Sequence, residues 1–126
     1  MLTLGSIITD WYTSSGSPWS PYLRGGVTYS NGILTVSQDG LYYVYAQLYF
    51  DHNWGSSYYY GRFGIHVNGS LRAYSYHNSK DNLHTYYMGR LLKLQKGDRI
   101  SIVMQSGNND LETHKELTFF GAFKLP

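Results

Sequence analysis

The residues best able to hold a metal or move a proton are five histidines, His52, His66, His77, His84 and His114. No two of them stand at a spacing typical of a zinc site, and the carboxylate beside His52, Asp51, falls in a loop. They read as surface or hydrogen-bonded side chains. Serine, histidine and aspartate all occur, but no Gly-x-Ser-x-Gly elbow presents a serine as a nucleophile, and no glycine-rich loop is shaped for phosphate. The chain is therefore expected to be no enzyme and to need no metal or other cofactor. Its zero cysteines remove thiol chemistry, disulfides and thiolate-held metals together. One modification signal is present. Asn68-Gly69-Ser70 is an N-glycosylation triplet in a turn; it suits an extracellular loop, and a glycan there competes with any protein partner of the same loop.

What remains is binding, and the composition points the same way. Fourteen Tyr, five Phe and three Trp outnumber what a core of 126 residues ordinarily uses. Tyrosine joins a large apolar ring to a hydroxyl that accepts water, which suits a surface that is wet in one state and buried in another. Strands also favour aromatics for their own sake. A net charge of +2, without a run of like sign, lacks the footprint of a nucleic-acid binder. No apolar stretch approaches the ~20 residues of a membrane span. The stretch Met1 to Gly5 has neither the basic nor the apolar part of a signal peptide, so any targeting or membrane segment is expected outside this sequence. The length fits one domain over 1–126, with a strand-poor segment at 1–25.

The elements that must position these aromatics are strands. Period-2 alternation marks Gly32–Val36, Leu41–Phe50, Tyr58–Val67, Leu71–Tyr76, Tyr86–Leu94, Arg99–Gln105 and Leu117–Leu125, and nothing has helical spacing. Turn signals separate them at Asn31-Gly32, Asp39-Gly40, Asn68-Gly69, Lys96-Gly97-Asp98 and Gly107–Asp110. The pattern predicts an all-β sandwich or barrel. Asn68-Gly69 predicts a two-residue hairpin, because both residues accept the positive φ of a type I′ turn.

Along Leu41–Phe50 one face carries Tyr42, Val44, Ala46, Leu48 and Phe50, and the other carries Leu41, Tyr43, Tyr45, Gln47 and Tyr49. A solvated face would hold Lys, Glu or Thr instead. The last strand repeats this, with Phe120 and Ala122 opposed by Leu117, Phe119, Gly121, Phe123 and Leu125. Arg99–Gln105 sets Ile100, Ile102 and Met104 against the mixed face Arg99, Ser101, Val103 and Gln105. If these strands share a sheet, its outer surface is an aromatic patch larger than a soluble monomer exposes. Closed symmetry is the usual way to cover one.

The segments Gly26–Val36 and Asp39–Gln47, then Gly89–Ser101, then Thr118–Leu125, resemble the tumour necrosis factor homology domain in order and spacing. The resemblance implies a jelly-roll β-sandwich of two antiparallel sheets, of ten strands in the family. It further implies a homotrimer, two further copies of the chain around one axis, that binds and clusters cysteine-rich cell-surface receptors of the tumour necrosis factor receptor type. By that resemblance the axis is lined by Tyr43, Tyr45, Tyr87, Phe119 and Phe123; the alternation alone selects four of them, and Tyr87 comes from the resemblance. Receptor contacts are implied in the loops Ser17–Arg24, Asp51–Ser57 and Asn68–Arg72, with Trp19, Tyr22, Arg24, Trp54 and Arg72 foremost because Trp, Tyr and Arg dominate hot spots. The family's usual first strand, which joins the inner sheet near the axis, has no counterpart here; it is missing, shortened or replaced by Leu2–Ile8. Its loss is expected to leave an edge open. Two other readings stay open on residues alone. One is the complement-type globular head, a related jelly roll for pattern recognition. The other is a carbohydrate-binding β-sandwich stacking sugars on Trp19, Trp54 and the tyrosines.

Overall fold

Two Asn-Gly turns set local pairings, because a type I′ turn returns the chain antiparallel to the strand it leaves. The computed structural model describes residues 5–9, 11, 26–51, 59–79, 83–107 and 118–126. These form eight strands: β1 Val27–Ser30, β2 Ile33–Val36, β3 Gly40–Asp51, β4 Tyr59–Val67, β5 Ser70–Ser79, β6 Leu83–Leu94, β7 Arg99–Gly107 and β8 Phe119–Lys124. Two turns have the positive φ that a type I′ hairpin requires: Asn31 and Gly32 at 49° and 87°, and Asn68 and Gly69 at 52° and 83°. Val67 accordingly pairs with Ser70, and the hairpin expected from Asn68-Gly69 is present.

The strands build two antiparallel sheets, one ordered β1-β2-β7-β4-β5 and the other β6-β3-β8. They face each other as a jelly-roll β-sandwich. β3 pairs with β6 along its whole length, from Gly40↔Leu94 to Asp51↔Leu83, and with β8 from Tyr42↔Lys124 to Gln47↔Phe119. The core takes Leu34, Val36, Phe63, Ile65, Ile100, Ile102 and Met104 from the larger sheet, and Tyr42, Val44, Ala46, Leu48, Leu94 and Ala122 from the smaller. Each large aliphatic side chain so buried contributes about 1.5–3 kcal/mol. Tyr42 carries a hydroxyl into this core and keeps it satisfied by donating to the Gln38 carbonyl at 2.8 Å. Burial pushes its phenol pKa above the ordinary value.

Three expectations need correction. β1 is a strand in its own right, which the alternation alone did not separate from its turn. β7 lies in the five-stranded sheet and not beside β3 and β8, so its mixed face, where Ser101 and Val103 are buried, adds nothing to their aromatic patch. Third, the N-terminal segment also joins the five-stranded sheet and not the inner one. Ile7 bridges Val103, Gly5 N–H donates to Met104 O and Ile8 N–H to Ile102 O. Ile8 and Trp11 then enter the core, where Trp11 packs on Phe120 at 5.2 Å and donates its indole N–H to Ile8 O. Among the described residues no strand covers the outer edge of β8.

One end of the sandwich is held by side chains that bridge turns. The Asn68 amide donates to Asp98 Oδ1 at 2.9 Å and accepts from Arg99 N–H at 3.0 Å, while Asp98 Oδ2 accepts from Gln95 N–H at 2.8 Å. The β4–β5 turn is thereby clamped to the β6–β7 turn. Asn68→Ala removes both bonds and puts an alanine at positive φ, and is expected to cost about 1–3 kcal/mol. Thermal unfolding checks this; a midpoint equal to the parent's would show the clamp carries no stability.

Candidate functional site

On β3, at the centre of the three-stranded sheet, Tyr43 and Tyr45 point away from the core. Each lies between two cross-strand partners. Tyr45 faces Gly89 on β6 and Gly121 on β8, and Tyr43 faces Leu91 and Phe123. Gly89 has a steric purpose: a Cβ there would collide with the Tyr43 ring and hydroxyl. With only hydrogen at Gly89, Tyr43 lies diagonally across β6 until its hydroxyl meets that of Tyr87 at 2.9 Å.

The rings form one continuous layer. Tyr43 and Tyr45 stack at 6.0 Å and 23°, Phe123 lies 5.7 Å from Tyr43 and 6.4 Å from Tyr45, and Phe119 meets Tyr45 edge-on at 6.2 Å. Pairs of this kind add ~0.5–1.5 kcal/mol beyond their buried area. All five residues expected at an axis, Tyr43, Tyr45, Tyr87, Phe119 and Phe123, are thus brought together on one face. They are not equally exposed. Tyr45 is only 8% exposed within the single chain, whereas Tyr87 and Leu91 are 53% exposed and Leu41 44%. The surface that needs covering is therefore Tyr87, Leu91, Leu41 and Phe123, with Tyr45 as its floor. Leu91 and Leu41 were absent from the expectation. Applying to β6 the alternation used on β3 would have found Leu91, since Tyr87, Gly89 and Leu91 share a face.

Electrostatics fit a layer that is half wet. The Tyr87 phenol is pushed up to about 12, first by loss of hydration and then by its hydrogen bond and charge coupling to Tyr43. The described residues contain no group of three or more His, Cys, Asp or Glu able to hold a metal.

The residues expected at a receptor surface fare differently. Trp19, Tyr22, Arg24 and Trp54 lie outside the described residues. Arg72 is exposed, but it sits within β5 and not in a loop, as the extra residue between Leu71, opposite His66, and Ala73, opposite Ile65. Asn68 is exposed in its turn with both amide atoms engaged in the clamp. Among the histidines, His66 departs from expectation, since its Nε2 is buried without a hydrogen-bond partner. His52 and His114 lie outside the described residues, as do the side chains of His77 and His84.

Fold and face together define a jelly-roll sandwich that displays an aromatic sheet, and comparison with known proteins gives the class a family. The tumour necrosis factor family model matches residues 9–125, so the chain belongs to the tumour necrosis factor family. It is 30% identical over 135 residues to human tumor necrosis factor ligand superfamily member 11, covering 94% of this chain and 41% of that protein. It is 28% identical over 145 residues to mouse member 10, covering 98% of this chain and 48% of that protein. The chain thus spans less than half the length of these two relatives. Among solved structures it superposes on rabbit GITRL with a TM-score of 0.56 at 20% identity, covering 85% of this chain and 83% of that one. Murine APRIL at pH 5.0 gives 0.61 at 22% identity, covering 79% and 78%.

The hydroxyl pair yields a pH test. Tyr87 holds its proton more tightly in the folded chain than the ordinary value of 10.0, so the pair's contribution is intact below that pH. It is lost as pH rises towards about 12. Phenolate absorbance should show a late-ionising component that vanishes in Tyr87→Phe and moves to lower pH in Tyr43→Phe. A titration of Tyr87 indifferent to Tyr43→Phe would refute the coupling.

Proposed function

We propose that this chain is a signalling ligand of the tumour necrosis factor type that assembles as a homotrimer outside the cell and clusters cell-surface receptors. Family membership supports the ligand reading. The observation that carries the assembly is the aromatic face of β6-β3-β8. Tyr87, Leu91, Leu41 and Phe123 stand exposed together on a sheet whose other side already forms the core. Leaving such a patch in water forfeits about 25 cal/mol for each Å² that a partner would cover. Identical copies around one axis cover it without leaving an open, polymerising surface. Tyrosine suits the exchange, since its hydroxyl tolerates water before assembly and finds a hydroxyl partner within the layer.

In this assembly Tyr43, Tyr45, Tyr87, Phe119 and Phe123 line the axis, and the receptor meets Arg72 together with Trp19, Tyr22, Arg24 and Trp54. The ligand acts by bringing receptors together and performs no catalysis. Among the described residues no helix is long and apolar enough to cross a membrane. Tethering to a cell, on this reading, belongs to sequence beyond this chain.

Sedimentation equilibrium tests the assembly directly: a mass of three chains is expected at micromolar concentration, and a stable monomer would sink the proposal. Tyr87→Glu gathers three carboxylates near a dry axis and is expected to weaken assembly by roughly 2–4 kcal/mol. Because Tyr87 is half exposed in the single chain, the variant should keep its strand circular dichroism, whereas Tyr45→Glu, at a buried position, should also unfold. For the receptor surface, a panel of soluble cysteine-rich receptor ectodomains should contain at least one that the trimer captures. Arg72→Glu should weaken that capture ~10-fold or more without changing the sedimented mass. Failure of every ectodomain to bind would overturn the receptor reading.

A further inference from the structure

The end of the sandwich formed by the β2–β3, β4–β5 and β6–β7 turns and the last residue of β8 gathers most of the described cations. Arg72, Lys93, Lys96 and Arg99 are exposed there, and Lys124 is half-buried, its stem lying across Gly40. Among the described residues the acidic side chains at this end are Asp39 and Asp98, so five cationic side chains face two anionic ones. Those two anions are already engaged with other donors. Asp39 Oδ1 accepts from Lys96 N–H at 2.8 Å, and both Asp98 oxygens are taken by Asn68 and Gln95 N–H. Among the described residues none of the five cationic side chains is in an ion pair.

The same end is recessed. A cleft of about 660 Å³ opens there, lined by Arg72 and Lys93 with Asn68, Ser70 and Gln95 between them and the two aspartates at its edge. That volume lies in the ~300–1,000 Å³ range of ligand clefts. We propose that this cleft and its lysine rim bind a sulfated polysaccharide, a sulfate group seated between Arg72 and Lys93 and the chain continuing over Lys96 and Lys124. The chemistry fits in three ways. Guanidinium and ammonium groups without partners suit sulfate oxygens, which make charge-assisted hydrogen bonds. The neutral Ser70 hydroxyl in the cleft lining suits a sugar hydroxyl. Single-stranded nucleic acid is bound through aromatic platforms set among cations, and among the described residues no aromatic side chain lines this cleft. A lipid surface needs a flat basic face, whereas here the charge surrounds a recess.

The site is separate from the aromatic layer, and its test uses residues outside the receptor proposal. Binding of the whole chain to a heparin dodecasaccharide is measured across a salt series, beside the triple variant Lys93→Ala/Lys96→Ala/Lys124→Ala, which leaves Arg72 in place. The parent is expected to bind at physiological salt. Its logarithmic affinity should fall with the logarithm of salt by a slope of roughly three to five, one unit for each ion contact. The triple variant should lose at least ~10-fold in affinity, with the slope reduced by about two to three, while its sedimented mass stays unchanged. Lys96→Ala alone, at an exposed turn, should give a smaller loss in the same direction, and Arg62→Ala, on β4 away from the cleft, none. No binding of the parent at physiological salt overturns the proposal, as does equal affinity of the triple variant. So does equal binding of a desulfated chain, or tighter binding to phosphatidylserine vesicles than to heparin.

Discussion

The pleat of β3 sets Tyr42, Val44, Ala46 and Leu48 on one face and Tyr43 and Tyr45 on the other, and neither set can be left in water without cost. The first set has no exposure at all and forms the smaller sheet's share of the core. The second must be covered from outside the sandwich. A sheet of three strands is too narrow to do this by itself: β6 and β8 roof Tyr45 but leave Tyr87, Leu91 and Phe123 facing outward. Burial within the chain and the need for a partner are therefore one constraint met in two stages. Folding satisfies Tyr45, and assembly would satisfy the rim around it.

Space on this face is managed by what is absent from the neighbouring strands. Gly89 and Gly121 oppose Tyr45 from both sides, so the central ring settles low between them, while Tyr43 crosses Gly89 to reach Tyr87. A phenylalanine at either end of that reach would stack as well but would lose the hydroxyl pair. The pair fixes where the two rings stop, which matters more than its net energy of about 1 kcal/mol. A layer with defined ring positions can be matched by an identical layer, whereas loosely held aromatics would support only a sticky patch.

Much of this was legible because β-structure writes itself in period 2. The alternation in Leu41–Phe50 and Leu117–Leu125 separated the two faces of β3 and β8, and Asn68-Gly69 located one hairpin. What escaped did so for physical reasons. Strand β1 is four residues long, too short for alternation to stand out. The covering of Ser101 and Val103 depends on a segment nearly a hundred residues earlier in the chain, and no local pattern on β7 announces such a pairing. The near-burial of Tyr45 depends on two glycines on other strands, so it is a property of register and not of composition. Alternation marked Leu71–Tyr76 as a strand, but it did not show that Arg72 is the extra residue of a β-bulge between Leu71 and Ala73, because a bulge is a feature of pairing and not of spacing.

The route of the N-terminal segment has a further consequence for the smaller sheet. By pairing with β7, residues 5–8 complete the larger sheet and leave β8 as an edge among the described residues. An unpaired edge carrying aromatics beside an apolar face invites uncontrolled pairing with other chains. Leu125 N–H donates to Leu41 O and the Lys124 stem lies over Gly40, so both features hold β8 to β3 on its paired side and leave the outer side as it is. Beside that edge the face at Phe123 and Tyr87 is apolar. Identical copies docked on the face around one axis would bring neighbouring chains against the edge as well, so a closed assembly would answer both problems at once.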